Sequence, residues 1–409
     1  MNIKSIKVEN YRLFKSFECE FSEGVNLVIG DNGAGKSSLL SAITRLMSVN
    51  VYDSYDEMDL DPVEPYRKVD KLGDATLSIT TSYPVQISGK IWGENTVIRW
   101  FDDKLVNVCG LYTIKKIVEG SDIWPLINYQ SFDRIWRIGF NTGEKVSVEP
   151  GLNERRDGYK DCLYGKGQDD KIENWCLKMA MLEFGRKKPV HEFERFKHII
   201  KVFFQIIEDV EQDFEIDYSV EVNGLIMKAN DRIYPLYELS TGYKAILSMV
   251  MELAYRSALL NPDLPVDSVE QDGIVIIDEI DAHLHPKWQW RVVDALVKCF
   301  PKVQFIIATH SPIVIAATKN ARIISLEPDG KVSYLEEAFG YNVSDVLDLK
   351  QGSSAVPKVT ALYMERLEKA LDEDNLAEAD MIVSQAMKEF GEESPAYKEL
   401  KNYLEINRR

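Results

Sequence analysis

Residues 30–37 read Gly-Asp-Asn-Gly-Ala-Gly-Lys-Ser, which fits the spacing G-x-x-x-x-G-K-[ST]. They lie between a strand-like run carrying Val25, Leu27 and Ile29 and a helical stretch, LLSAITRLM. No other feature constrains the fold as much. A glycine-rich turn in that position curls backbone N–H groups around a concavity, and the helix that follows points its positive end into it. Gly30, Asn32, Gly33, Gly35, Lys36, Ser37 and Ser38 are therefore candidate nucleotide-binding residues. Lys36 would reach the β- and γ-phosphates, and the Ser37 hydroxyl would ligate Mg²⁺. In isolation, the same pattern could be a chance glycine-rich turn before a helix.

Two later segments complement this loop. Ile274–Ile277 is a fully apolar run of strand length, as a buried parallel strand requires, and it ends in Asp278 and Glu279. Ligands of open α/β sheets bind at that end of the strands. Asp278 is the candidate Mg²⁺ ligand and Glu279 the candidate general base. The plain alternative is a strand ending in a solvated acidic turn. One buried strand later, His310 in FIIATHSP is a candidate sensor of the γ-phosphate, because imidazole can donate to the γ-oxygen. Its plain alternative is a cap on the next element. The expected fold class is α/β, a P-loop head with a mixed or parallel sheet and flanking helices.

Composition narrows the partners. The chain has 409 residues, 45% hydrophobic, enough for a core and for two or three domains. Lys and Arg total 49 against 66 Asp and Glu, giving −17, whereas a non-specific DNA coat is usually basic, so any nucleic-acid contact must be local or supplied by a partner. Five scattered cysteines form no C-x-x-C pair, which argues against a zinc hook and fits a reducing cytoplasm. The N-terminal MNIKSIKVENYRLF lacks the apolar core of a secretory leader, and no run of about 18 apolar residues suggests a membrane span.

Periodicity divides the chain into four parts. Residues 1–49 are the first part of the head, with three strands and the phosphate loop. Residues 50–235 are an inserted α+β region. Its residues 50–73 read as an acidic loop, 74–130 as short strands, 170–212 as helices and 214–236 as strands. Residues 236–336 complete the head, and 337–409 form a helical extension that reads as an amphipathic hairpin from about 355 onward.

GDNGAGKS, LSTGYK (Leu239 to Lys244), IVIIDEIDAHLHP and IIATHSP, in this order, resemble an ABC-type ATPase head of the SMC, RecF and OLD-like branch rather than a transporter. WPLINYQSFDRIW and ERRDGYKDCLYG are similar to a narrower group of bacterial predicted ATP-binding proteins of the AAA_21 type. That group overlaps the Septu-type (PtuA-like) and retron-attached defence ATPases. The resemblance implies ATP and Mg²⁺ as cofactors and a homodimer that closes on ATP and parts on hydrolysis. It implies further roles: Gln130 as the loop glutamine coupling metal and lytic water to the insertion, and Arg12 as a phosphate-reaching arginine. Asp281 would be the aspartate that meets the opposing subunit, and Ser240 and Gly242 the residues that meet the γ-phosphate held by the other subunit. Two positions depart from the LSGGQ signature. Thr241 replaces its second glycine, and Tyr243 follows Gly242 in place of glutamine.

The resemblance favours a switch in anti-phage defence that controls a separate effector, an HNH nuclease or retron components. The alternative is a RecF-like repair ATPase acting directly on DNA. No nuclease constellation stands out among only five histidines. His283 and His285 could suggest a metal pair and Trp288 with Trp290 a base-stacking platform. The favoured readings are a structural turn for the histidines, one core tryptophan and one amphipathic tryptophan.

Overall fold

The computed structural model describes residues 2–51, 67–72, 76–81, 85–91, 94–101, 104–109, 118, 121–132, 155–165, 167–209, 214–219, 221–222, 224–229, 232–327, 330–350, 358–373, 375–392 and 394–407. Alternation along Ile3–Tyr11 (β1) and Phe14–Glu20 (β2) buries Ile6 and Val8 opposite Cys19 and Phe17, and the two strands pair antiparallel. On its other side β1 pairs with Val85–Ile91 (β6). Glu94–Phe101 (β7) and Lys104–Cys109 (β8) complete a five-stranded antiparallel sheet, ordered β2-β1-β6-β7-β8.

The second sheet holds the site. It contains Val25–Gly30 (β3), Leu126–Gln130 (β9), Asp272–Ile277 (β13), Lys302–Ala308 (β14), Arg322–Leu326 (β15) and Val332–Leu335 (β16). Its order is β16-β15-β3-β14-β13-β9, parallel throughout except for the antiparallel edge β16. The near-continuous apolar runs follow from burial on both faces. The two sheets are fastened by Gln304 of β14, which is fully buried. Its side chain accepts from Ile3 N at 2.8 Å and donates to the carbonyls of Ile3 at 2.9 Å and Ser22 at 2.6 Å.

Between residues 52 and 66 the acidic stretch lies outside the described residues, but its flanks depart from the loop expected over 50–73. The helix that begins at the phosphate loop (α1, Lys36–Val51) continues through Val51, and Arg67–Leu72 (β4) pairs antiparallel with Thr76–Thr81 (β5). Lys-Val-Asp alternates, and the partner strand is rich in β-branched residues, which favour a pleated surface. Residues 50–235 thus supply strands to both large sheets.

Asp169–Arg186 (α2) and His191–Glu208 (α3) pack through Trp175, whose ring meets Phe193, Phe196 and Tyr255 edge-on at 5.3–5.8 Å. A three-stranded antiparallel sheet follows, Phe214–Ser219 (β10), Gly224–Ala229 (β11) and Arg232–Pro235 (β12), and leads to Thr241–Leu260 (α4), buried from Ala245 onward. Pro286–Gln289 (α5), Val292–Cys299 (α6) and Pro312–Ala317 (α7) complete the head. No helix among the described residues is long and apolar enough to cross a membrane.

The chain divides into two compact units, residues 1–341 and 342–409. The second holds Val343–Lys350 (α8), Lys358–Asp372 (α9), Leu376–Phe390 (α10) and Pro395–Asn407 (α11). The hairpin expected there is formed by α9 and α10, and α11 joins it as a third helix. Leu367, Ala379, Ile382, Ala386, Leu400 and Leu404 from all three make one core. Leu400 and Leu404, one turn apart on α11, supply the apolar stripe that makes packing on the hairpin favourable.

Candidate functional site

Parallel pairing sets four motif ends side by side at the C-terminal edge of the second sheet. Reading across it, these are Gly30 at the end of β3, Thr309 and His310 after β14, Asp278 and Glu279 after β13, and Gln130 at the end of β9. Neighbouring strands lie about 4.8 Å apart, so the four ends are spread over roughly 14 Å of one sheet edge. Backbone bonds lock the edge: Asp278 N donates to Gln130 O at 2.8 Å, Ile280 N to Ala308 O at 3.2 Å, and Thr309 N to Val28 O at 3.2 Å.

The phosphate loop has the conformation its glycines allow. Gly30, Gly33 and Gly35 have φ of 145°, 82° and 104°, a region closed to most side chains. At Gly35 a Cβ would lie 2.6 Å from the Phe14 ring, so the loop backbone is seated directly on β2. Lys36 is buried, and its Nζ donates to the Gly30 and Asp31 carbonyls at 2.8 and 2.9 Å. Burial lowers its pKa, while the carboxylates of Asp278, Glu279, Asp31 and Asp281 act in the opposite direction. Ser37 and Asn32 are exposed and Ser38 is buried.

Arg12 is half-buried in the turn between β1 and β2, with φ of 48°. Its neighbours anchor that turn to the loop. Tyr11 Oη is 2.9 Å from Ser41 Oγ on α1, and Phe14 packs on Gly35. The structure therefore brings Arg12 to the loop's border.

Glu279 is half-buried and has φ of 47°, uncommon for a residue with a side chain, as strained positions at functional sites often are. Asp278 is 2% exposed. Asp281 is engaged within its own chain: Oδ1 accepts from Thr309 Oγ1 and, at 3.4 Å, from His310 N. It ties the turn after Glu279 to Thr309 and His310. Ser311 next to His310 caps α7, accepting from Ile313 N and Val314 N, and donates to Gln289 at 2.6 Å.

Gln130 is 2% exposed, and its amide donates to Asn128 Oδ1 at 2.7 Å and Glu252 Oε2 at 3.3 Å. Asn128 in turn donates to Glu252 Oε1 at 2.9 Å, and the same oxygen is paired with Arg256 at 2.8 Å. Arg256 then donates to the carbonyls of Gly158 and Lys160. This buried network was not read from the sequence. Its signal was present: Glu252 and Arg256, four apart, are the only charges in the otherwise apolar MVMELAYRSALL, and charges buried there need partners.

Ser240 and Gly242 lie at the start of α4. Ser240 is exposed and is the helix N-cap, its Oγ accepting from Tyr243 N at 3.5 Å. His283 and His285 are exposed. His285 Nδ1 accepts from Lys287 N at 3.2 Å as the cap of α5. Trp288 is buried and Trp290 is 45% exposed, as expected for one core and one amphipathic tryptophan.

The residues present fit ATP and Mg²⁺. The loop backbone packs against Leu326 O and the Phe14 ring too closely for any residue but glycine at positions 30 and 35, a buried cation lies at its base, and Ser37 and Asp278 offer the hard oxygen donors Mg²⁺ prefers.

Comparison with known proteins places this geometry among others. The family model described as the RecF/RecN/SMC N terminal domain matches residues 2–332. A retron Vc95 probable ATPase from Vibrio cholerae is 36% identical over 160 residues, 38% of this chain and 30% of that protein. A retron Ec83 probable ATPase from Escherichia coli is 25% identical over 77% of this chain and 69% of its own length. The Septu protein PtuA of Bacillus thuringiensis is 24% identical over 91% of this chain and 90% of its own.

Proposed function

The chain belongs to the RecF/RecN/SMC N-terminal domain family, and we propose that it is an ATP-gated switch of anti-phage defence. In this reading two copies close on ATP, part on hydrolysis, and thereby control a separate nuclease-type effector. The observation that carries the defence assignment is the extent of the Septu similarity, 91% of this chain and 90% of that protein, which includes more than the ATPase motifs. The strand ends gathered at one sheet edge support the ATPase assignment.

The chemistry is phosphoryl transfer to water, so the protein positions groups and stabilises charge. The glycine-rich loop and α1 present backbone N–H groups to the phosphates. Lys36 exchanges its two carbonyl partners for β- and γ-oxygens. Mg²⁺, when bound, neutralises phosphate charge, and Ser37 and Asp278 are the residues to hold it. Glu279 accepts a proton from the attacking water. His310, held through Asp281, donates to the γ-phosphate. Gln130 links the metal side of the site to the insertion. Ser240 and Gly242 complete the partner copy's site.

The reading is tested by phage challenge of cells carrying the gene with its neighbours. Glu279→Gln should abolish protection, and tagged wild-type protein should co-purify with an HNH nuclease or retron components. The purified chain alone should cut neither plasmid nor tRNA. A RecF-like repair role is the second reading, favoured by the family description itself. DNA-stimulated ATPase activity of the isolated chain at physiological salt, with no effector partner, would select it instead.

A further inference from the structure

Tyr243 stands where the signature has glutamine, and its surroundings give the replacement a purpose. Its phenol donates to Glu208 Oε1 at 2.7 Å. The same oxygen accepts from Trp288 Nε1 at 3.2 Å, and Lys287 Nζ lies 3.2 Å from both Oε2 and the main-chain oxygen of Glu208. Next door, Arg291 pairs with Asp209 at 2.5 Å. Aromatic packing backs these bonds. Tyr243 meets Trp288 edge-on at 4.6 Å and lies parallel to Phe204 at 6.4 Å, and Phe204 stacks on Phe214 at 4.3 Å. One carboxylate at the end of α3 thus joins the first turn of α4 to the short helix α5, which follows the turn carrying Asp281.

The backbone at this junction has no slack. A Cβ on Gly242 would lie 2.9 Å from the His283 carbonyl and 3.4 Å from the Trp288 ring. The signature turn is therefore pressed against the segment after Glu279 by contact on one side and held to α3 by the Tyr243–Glu208 bond on the other. A shift of α3 of even an ångström would carry Ser240, Gly242 and the Asp281 turn with it, because packed interfaces move as units.

We propose that Glu208 is a positioning residue for the signature: through Tyr243 and Trp288 it sets the aim of the α4 N-terminus toward the nucleotide of a second copy and makes that aim follow α3. The proposal rests on the composite-site reading above. Glu208 itself touches no nucleotide. Its effect reaches turnover only through Ser240 and Gly242, so losing it slows hydrolysis and weakens closure while leaving the phosphate loop's own affinity alone.

Tyr243→Phe removes one hydroxyl and keeps the ring packing. Glu208→Gln keeps the shape but leaves one acceptor where there were two: with its amide oxygen toward the Lys287 ammonium, its N–H₂ faces the Tyr243 and Trp288 donors and the Tyr243 bond is lost. With the full chain, a fluorescent ATP analogue should bind each variant within about twofold of wild type, and thermal midpoints should change little. Steady-state kcat should fall roughly tenfold in Tyr243→Phe and further in Glu208→Gln, with KM nearly constant, the pattern of an interaction realised in the transition state. ATP-driven dimerisation, followed by sedimentation in a Glu279→Gln background, should need more protein. The double variant should be no slower than Glu208→Gln alone, since both act through one bond. Ser240→Arg serves as the reference. If it abolishes turnover while Tyr243→Phe and Glu208→Gln run at the wild-type rate, the positioning role is wrong and the composite site stands. Full turnover in Ser240→Arg removes the composite site itself. Additive losses in the double variant also overturn the proposal, because they assign the two residues separate tasks.

Discussion

The phosphate loop and the signature are both helix N-termini, with the same dipole and the same unpaired N–H groups, yet they are built for different work. The loop is sunk at the sheet edge. Three of its glycines sit at positive φ, Phe14 supports it from below, and Lys36 is only 6% exposed. The start of α4 projects Ser240 and Thr241 to the surface, with Ser240 already serving as the helix cap. A concavity can wrap a triphosphate unaided, whereas an exposed helix end makes useful contacts only when a second surface presses ligand against it. That difference supports the proposal that half of each site comes from another copy.

The severest challenge to this contrast is Lys36→Ala, which deletes the buried cation of the concave half. ATP affinity should fall by about tenfold or more and turnover should vanish, as read by nucleotide titration and phosphate release. Unchanged titration would leave the loop without its assigned ligand. Glu279→Gln should separate chemistry from binding. A kcat loss of roughly 10²–10⁴-fold with ATP retained fits removal of a general base, and the closed dimer should accumulate on a sizing column. Wild-type turnover would take Glu279 out of the role.

Ser240→Arg probes the exposed half. A long cation there should spare binding to one chain yet block ATP-driven dimerisation and hydrolysis. Mixing sharpens the comparison. A heterodimer of Lys36→Ala and Ser240→Arg chains contains one site with both halves intact, so two inactive proteins should recover activity together. Failure of any such recovery, with heterodimers demonstrated, would argue that each chain carries a complete site.

The two halves also differed in how much the sequence disclosed. The concave half is local: glycine, lysine and serine at fixed spacing must follow a strand and open a helix, and Ile274–Glu279 needs only an apolar run ending in carboxylates. Those residues could be named without knowing any long-range pairing. The surroundings of the exposed half depend on contacts far apart in sequence. Glu208 meets Tyr243 and Trp288, and Asn128 meets Glu252, through pairings that no periodicity announces. The five-stranded sheet was hidden for the same reason. Strand β1 was readable and short strands were expected around β6, but the pairing of the two, Val8 opposite Ile87, spans nearly eighty residues and is chosen by burial after collapse. The tail reads as helical to its end, but periodicity does not announce that Leu400 and Leu404 of the last helix meet Leu367 and Ile382 of the hairpin in one core.

The smallest effect on nucleotide handling belongs to that C-terminal unit, and it tests whether the head's two halves are sufficient for ATP. Ile382 on α10 is 1% exposed at the centre of the three-helix core, among Leu367, Leu400 and Leu404. Ile382→Ala leaves a void there and should destabilise the unit by about 2–5 kcal/mol. A core this small has little stability in reserve, so the three helices should melt at lower temperature. Because residues 342–409 are compact by themselves and none of the candidate site residues lies among them, ATP affinity should stay within about twofold of wild type. If calorimetry shows the predicted loss and titration shows no change, nucleotide binding is a property of the head alone. In that case any defect of this variant in phage protection would place the unit in assembly or effector contact. A tenfold fall in ATP affinity would instead couple the C-terminal core to the phosphate loop and end the division drawn here between a self-sufficient concave half and the rest of the chain.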